Sequence, residues 1–380
     1  MNKRFPYGKT FLIGFGFFGI SIIWSLFNSL IPPMLEDLGL SALSVGFIMT
    51  WDNIINMFVQ PWVGSQSDRT RSRFGRRKPW LMLGAPLAAV FFILVPFVRE
   101  NFLLIALMIL GTNLGMALFR APTIAYLGDL FNPDDRSKAN GVINLMGGVG
   151  GAVALFGGGS LYKLGIPLPF IVGAGVLLIA IVIVLFYVRE PDPDTIEARD
   201  DHEAPGLLEN LRQVVAGADK NGLYLLGAIF FWFVSWNAME AFFTIYARNV
   251  LDIDVGTGTQ MLTAFAATLI LFAIPSGLIA TRYGRKPTII TGLLGMLAGL
   301  IVGFFVRSPT ILLITLAVMG GFWALVNINS LPMVYDLGDE KVIGALTGLY
   351  YFSSSAAAIS GPVLGGWIID VADHTAIWPF

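Results

Sequence analysis

The sequence predicts an all-α membrane protein built from two related helical bundles. Three observations predict it. First, hydrophobic residues make up 56% of the 380 residues and charged ones only 13%, with a mean hydropathy of +0.74. A soluble chain could not hide that much apolar surface. Second, apolar stretches long enough to cross a bilayer recur eleven times. Third, a very basic loop, Gly64 to Pro79, carries Arg69, Arg71, Arg73, Arg76, Arg77 and Lys78. A shortened copy follows about 210 residues later, in Gly277, Thr281, Arg282, Tyr283, Gly284, Arg285, Lys286 and Pro287. A basic loop returning at that interval points to a duplicated membrane protein.

In chain order the spans fall near 11–31, 44–65, 80–98, 102–129, 140–162, 167–188, 223–248, 257–280, 288–306, 310–336 and 343–369. Backbone groups in lipid must be satisfied within the segment, so these are helices. The first is longer than a signal core and lacks a small-x-small cleavage site, so it is a retained span. The N-terminus and the loops after even-numbered spans hold nineteen Lys and Arg, against four after odd-numbered spans. That bias predicts a cytoplasmic N-terminus in a multi-pass protein of the cytoplasmic membrane. The acidic, proline-containing segment 189–220 reads as a cytoplasmic linker between bundles at 1–188 and 221–380. Six spans precede it and five follow. The sequence stops at Ile377-Trp378-Pro379-Phe380, where a twelfth would begin, so truncation is expected.

The absence of cysteine excludes disulfides, thiolate metal sites and cysteine nucleophiles, and both histidines, His202 and His374, lie in connecting segments. No metal site and no cofactor is expected. No nucleophile–base pair or phosphate loop is present, so an enzyme is not expected, and nothing suggests a nucleic-acid partner.

Polar residues select particular spans. Spans 3, 6 and 9 are almost free of them in their interiors, which suits a lipid-facing position. The others carry stripes at helical spacing. On span 1, Ser21, Trp24, Ser25, Asn28 and Pro32 share a face; on span 2, Asp52, Asn53, Asn56 and Gln60 do. Asn113 and Arg120 align on span 4, and Asn140 and Asn144 lie on the glycine face of span 5. Trp232, Trp236 and Glu240 align on span 7, Trp323, Asn327 and Ser330 on span 10, and Thr347, Tyr351 and Ser354 on span 11. Interhelical hydrogen bonds account for any one stripe; seven that spare the same three spans point to a shared, water-accessible chamber.

Asp52 and Arg120 are the charges nearest mid-depth, and burial there costs roughly 2.5–3.5 kcal/mol or more each. Either they pair, or each meets substrate and water. Asp52 and Glu240 are the candidate acids for coupling to a proton, since burial favours a protonated carboxyl and a nearby arginine favours the carboxylate. Asp129 and Asp336 sit at cytoplasmic helix ends, placed to hold an inner gate.

Gly64-x-x-x-Asp68-Arg69 and Gly75-Arg76-Arg77-Lys78, weakly repeated at Gly277 to Lys286, resemble the signature loop of the major facilitator superfamily. The longer run Val59-Gln60-Pro61-x-Val63-Gly64-x-x-Ser67-Asp68-Arg69, then Ser72 to Pro79, is similar to the sucrose/proton symporter branch of the glycoside–pentoside–hexuronide:cation symporters, as are Arg120-Ala121, Ala125 and Asp129. The resemblance implies a major facilitator fold of twelve helices in two pseudo-symmetric bundles, of which eleven are present. It implies a central sugar site and alternating access coupled to a cation. The expected function is import of a sugar, a disaccharide or glycoside, by a monomer whose partners are the sugar and the lipid bilayer. The resemblance also implies an inner gate from Asp68 and the loop arginines with the ends of spans 4 and 11. Gly64, Arg69, Gly75, Arg76, Arg77 and Asp129 belong to that gate, and Gly277, Gly284, Arg285 and Asp336 to its weaker copy, where Thr281 replaces the expected Asp. In a sugar site Trp24, Trp232, Trp236 and Trp323 would stack on sugar faces. Asn28, Asn56, Asn113, Arg120, Asn327 and Tyr351 would bond hydroxyls.

Trp51-Asp52-x-Ile54 is similar to the melibiose-permease branch, which has a second acid where this chain has Asn56; that departure favours protons over sodium. Ser360-Gly-Pro-Val-Leu-Gly-Gly366 is similar to the superfamily's antiporter motif but lies on span 11 rather than span 5. Efflux of a drug or metabolite by the same fold is the first alternative. A membrane-embedded enzyme and a sugar sensor are the others.

Overall fold

The structure, a computed structural model, describes residues 6–190, 221–336 and 343–379. The linker read over 189–220 lies outside the described residues from 191 onward. Twelve α-helices are described: α1 (Tyr7–Asp37), α2 (Ala42–Met49), α3 (Trp51–Arg69), α4 (Lys78–Leu94), α5 (Phe102–Leu130), α6 (Pro133–Leu164), α7 (Leu168–Tyr187), α8 (Asn221–Leu251), α9 (Val255–Tyr283), α10 (Arg285–Phe305), α11 (Pro309–Tyr335) and α12 (Ile343–Val371). Together they make eleven segments long and apolar enough to cross a membrane, with no strand among the described residues.

The second span differs from its expected form. It runs Ala42–Arg69 but breaks at Thr50 into α2 and α3. The Thr50 hydroxyl donates to the Phe47 carbonyl at 2.7 Å, and its amide bonds the same oxygen at 3.1 Å. A threonine that bonds back to the preceding turn competes with the helical ladder. The fifth span also starts earlier than expected, because Asn132-Pro133 places a proline where a helix's first amide needs no partner.

The described residues form two compact units. The first contains α1, α3 to α7 and the opening of α9 through Thr263; the second contains Ser41–Thr50, α8, the rest of α9 and α10 to α12. In the first, α1 packs on α6 and α7, and α4 on α5. In the second, the corresponding helices pair alike: α8 packs on α12, and α10 on α11. Contact at the α4–α5 crossing is backbone to backbone, since a Cβ at Gly115 would lie 2.4 Å from the Ala88 nitrogen. Small residues permit such approaches.

The α10 helix shows why every third span lacks polar groups. Gly292, Gly295, Gly299 and Gly303 form one stripe; the first three lie against Phe322 and Met319 of α11 and the fourth against Trp378. Ile290, Leu294, Leu297, Ile301 and Phe305 form the other stripe, which is exposed. An apolar face of that length has no use in water and suits acyl chains.

Candidate functional site

The turn between α3 and α4 is the most highly organised polar site. Gly75 adopts φ +105°, which favours glycine. Ser72 donates to the Gly75 carbonyl at 2.6 Å and accepts from the Phe74 amide. This turn aims two guanidinium groups at the end of α5. Arg76 Nη2 meets Asp129 Oδ1 at 2.5 Å, and Arg77 Nε meets Asp129 Oδ2 at 2.9 Å. Arg77 also donates to Asp68 and to the Ser67 hydroxyl. Its side chain is only 4% exposed, that of Asp129 is 11% exposed, and that of Asp68 is 58% exposed. Burial works against the charge on Arg77. The hydrogen bond and charge of Asp129, then those of Asp68, outweigh it and hold the guanidinium above its ordinary pKa.

Sequence reasoning missed a third acid here. Glu190 accepts from the amides of Arg76 at 2.6 Å, Arg77 at 3.1 Å and Lys78 at 2.9 Å, and from the Tyr126 hydroxyl at 2.8 Å. It caps α4, where a negative charge meets the positive end of the helix. A Cβ on Gly75 would lie 2.4 Å from this carboxylate, a second reason for glycine. In the sequence Glu190 falls within the acidic linker segment. The available signal was its position, directly after the seventh helix on the side of the basic loops.

The second unit carries a reduced version. Gly284 has φ +92°, matching Gly75. Arg285 pairs with Asp336 and donates to the Pro332 carbonyl at 3.0 Å, but the two side chains are 38% and 56% exposed. Thr281, aligned with Asp68, bonds its own helix at the Gly277 carbonyl. Gly277, Thr281, Gly284, Arg285, Asn329 and Asp336 help to line a cavity of about 470 Å³.

Mid-span polar groups of the first unit gather on α1, α3 and α5. Asp52 accepts from Asn53 at 2.8 Å and interacts electrostatically with Arg120. Asn113 is 1% exposed, and neither side-chain atom of its amide has a protein partner; the same holds for Asn56 Oδ1 and Trp24 Nε1. Asn56 and Gln60 line a cavity of about 420 Å³ with Met57, Pro61, Ala121 and Ile124. Asn28 is half-buried on α1, and Arg69 and Gly64 lie on the last turns of α3.

In the second unit Trp232, Trp236 and Trp323 line one cavity of about 370 Å³, together with Leu293, Met296 and Leu297 of α10. Trp236 stacks between Phe265 at 4.3 Å and Trp323 at 5.4 Å, so protein rings cover both its faces here. Glu240 and Asn327 are half-buried, and Tyr351 is exposed. Beside them lies a buried pair missed in the sequence: Asn329 donates to Ser276 at 2.9 Å, joining α11 to α9. Among the described residues no cluster of His, Cys, Asp or Glu could hold a metal.

The family profile described as Major Facilitator Superfamily matches residues 13–262 and 251–380. A sucrose transport protein of Arabidopsis thaliana is 28% identical over 163 residues, 37% of this chain and 27% of that protein. The chain thus spans about a quarter of that relative's length. Multidrug resistance protein 2 of Bacillus subtilis (strain 168) is 22% identical over 382 residues, 96% of this chain and 88% of the relative. The crystal structure of a bacterial homologue of the human lysosomal transporter Spinster, inward-facing and unoccupied, superposes with a TM-score of 0.79 at 15% identity, covering 98% of this chain and 84% of that one.

Proposed function

Since the chain belongs to the major facilitator superfamily, we propose that this membrane transporter imports a sugar together with protons by alternating access, with the site on α1, α3 and α5 at its centre. The observation that carries the reading is the buried Asn113 amide, lying with Asn56 and Trp24 in the same unit as Asp52 and Arg120. A buried amide normally has a partner. Donors and acceptors without one match a ligand rich in hydroxyl groups, which both donates and accepts. The partial likeness to a sucrose transport protein and the motifs around Asp68 and Arg120 support a disaccharide or glycoside.

Asp52 is the proton carrier in this reading. As a carboxylate it offsets the charge of Arg120; once protonated it frees the guanidinium to bond sugar oxygens, so loading of proton and substrate are linked. Each charge moved through 100 mV supplies about 2.3 kcal/mol, which is about 50-fold accumulation. Glu240 on α8 is a second candidate acid. The arginine–carboxylate clusters at Asp129 and Asp336 act as gates at the cytoplasmic end, where the Lys and Arg bias places the basic loops.

Proteoliposomes holding the purified chain test this with labelled sucrose and related glycosides under an imposed proton gradient. Gradient-driven accumulation is expected in the parent and lost in Asp52→Asn. Asn113→Ala should raise the half-saturating sugar concentration about tenfold, the worth of one or two hydrogen bonds. Accumulation that ignores the proton gradient, or survives both Asp52→Asn and Arg120→Ala, rejects the site. Efflux is the second reading, supported by the multidrug resistance relative that matches 96% of the chain. Inside-out vesicles separate the two, since an exporter would fill them.

A further inference from the structure

The short helix α2 is held by a carboxylate distant in sequence. Asp370, near the end of α12, accepts from the Ala42 amide through Oδ1 at 2.8 Å and from the Leu43 amide through Oδ2 at 2.9 Å. Both amides belong to the first turn of α2, which lacks intrahelical partners for them. The same two helices touch at bare backbone. A Cβ on Gly46 would lie 2.1 Å from the Pro362 carbonyl oxygen, and one on Gly366 would lie 2.2 Å from that of Ala42. Gly361 and Gly365, one residue earlier in each case, lie instead against Val234 and Ala238 of α8. The run Ser360 to Gly366 therefore has two faces, one seating α8 and the other α2.

The chain on either side of α2 belongs elsewhere. Residues up to Leu40 and from Trp51 are part of the first unit, whereas Ser41–Thr50 is part of the second. If the two units move against each other, α2 cannot follow both. Either its seam on α12 parts or the break at Thr50 bends. The duplicated partner repeats the pattern. Ile253–Thr263, the approach to and opening of α9, belongs to the first unit. There Gly159 and Gly256 meet closely and Gln260 donates to Ser160 at 2.7 Å.

We propose that Asp370 is a detachable cap on α2, and that its release from the Ala42 and Leu43 amides opens the end of the molecule away from the basic loops. Of the transport reading, this requires only that the two units move. The glycine contacts set the distance at which the cap can reach. The carboxylate supplies directional bonds that break when α2 leaves, whereas on the other face of α12 the Ser353 hydroxyl donates to the Leu226 carbonyl of α8 at 2.7 Å within one unit.

The test uses the full chain, which contains no cysteine, and reads no sugar. Val45 is fully buried on α2, and Gln60 lines the cavity between α3 and α5. Each is replaced by cysteine in turn, and its reaction with N-ethylmaleimide is timed. In Asp370→Ala, Val45→Cys should react about tenfold faster, the usual scale for losing a helix cap, while Gln60→Cys reacts more slowly. Asp370→Glu should restore both rates, and Asp370→Asn should fall between. If both cysteines react faster, Asp370 merely stabilises the fold, and the proposal is overturned. If neither rate changes, the cap carries no part of the closure, and the proposal is equally overturned. Sugar uptake failing while the two rates still move in opposite directions would reject the substrate reading and leave the cap standing.

Discussion

Arg77 is the residue whose loss should be felt most. It joins Ser67, Asp68 and Asp129 through one planar guanidinium, and lysine cannot serve three acceptors in that plane. Arg77→Ala leaves the nearly buried Asp129 with Arg76 alone and should destabilise the first unit by about 3 kcal/mol; Arg77→Lys should recover less than half. Thermal unfolding in detergent measures both. Asp254, just before α9, allows a pH prediction. Burial would raise its carboxyl, but hydrogen bonds from the Thr257 hydroxyl and amide, then the charge of Lys163, hold it below the usual range. A depressed carboxyl stabilises above the unfolded value, near 3.9, and loses that contribution as pH falls through the lower folded value. The gap in melting temperature between parent and Asp254→Asn should therefore be constant from about pH 8 to 5 and close only below about pH 4. At this scale the sequence was partly legible. Arginines in a motif announce themselves by composition, so Arg76, Arg77 and Asp129 could be nominated. Glu190 was marked by its position alone, because three of its four partners are backbone amides, which leave no mark on the pattern of side chains.

Helices are set by length and by where the backbone must come close. The eleven spans were legible because about 20 apolar residues have few other uses. The break at Thr50 was not, because one hydroxyl bonding back to Phe47 does not disturb the apolar count. Glycines differ in the same way. A methyl on Gly115 would meet backbone of Ala88, which cannot yield, whereas one on Gly175 of α7 meets nothing within 4 Å. Gly115→Ala should cost about 2–3 kcal/mol as overpacking. Gly175→Ala should be neutral or stabilise by about 0.5–1 kcal/mol, through helix propensity. Melting temperatures of the two variants, measured side by side, decide whether glycine here is a packing requirement or a filler.

For the whole molecule, duplication was the most legible property. The two basic loops match in sequence, and Gly75 and Gly284 match in backbone conformation. The Lys and Arg bias predicts the orientation. With no native cysteine to interfere, Ser72→Cys in the first basic loop should react with an impermeant maleimide only from the cytoplasmic side. Ser308→Cys, between α10 and α11, should react only from the opposite side. The reverse pattern would invert the topology. The proposed substrate site was legible only in part, because a stripe of polar residues shows which helix faces are polar but not which amides stay unpartnered after packing.

The two arginine clusters also differ in how far the solvent reaches them. Arg77 and Asp129 are shielded, while Arg285 and Asp336 are wet. Dissolved ions weaken exposed charge pairs over a screening length of about 10 Å at 0.1 M and about 3 Å at 1 M, and affect enclosed pairs much less. Concentrated salt should therefore loosen the second cluster and spare the first. A chain whose halves read as copies would answer the ionic strength of its surroundings with one half only.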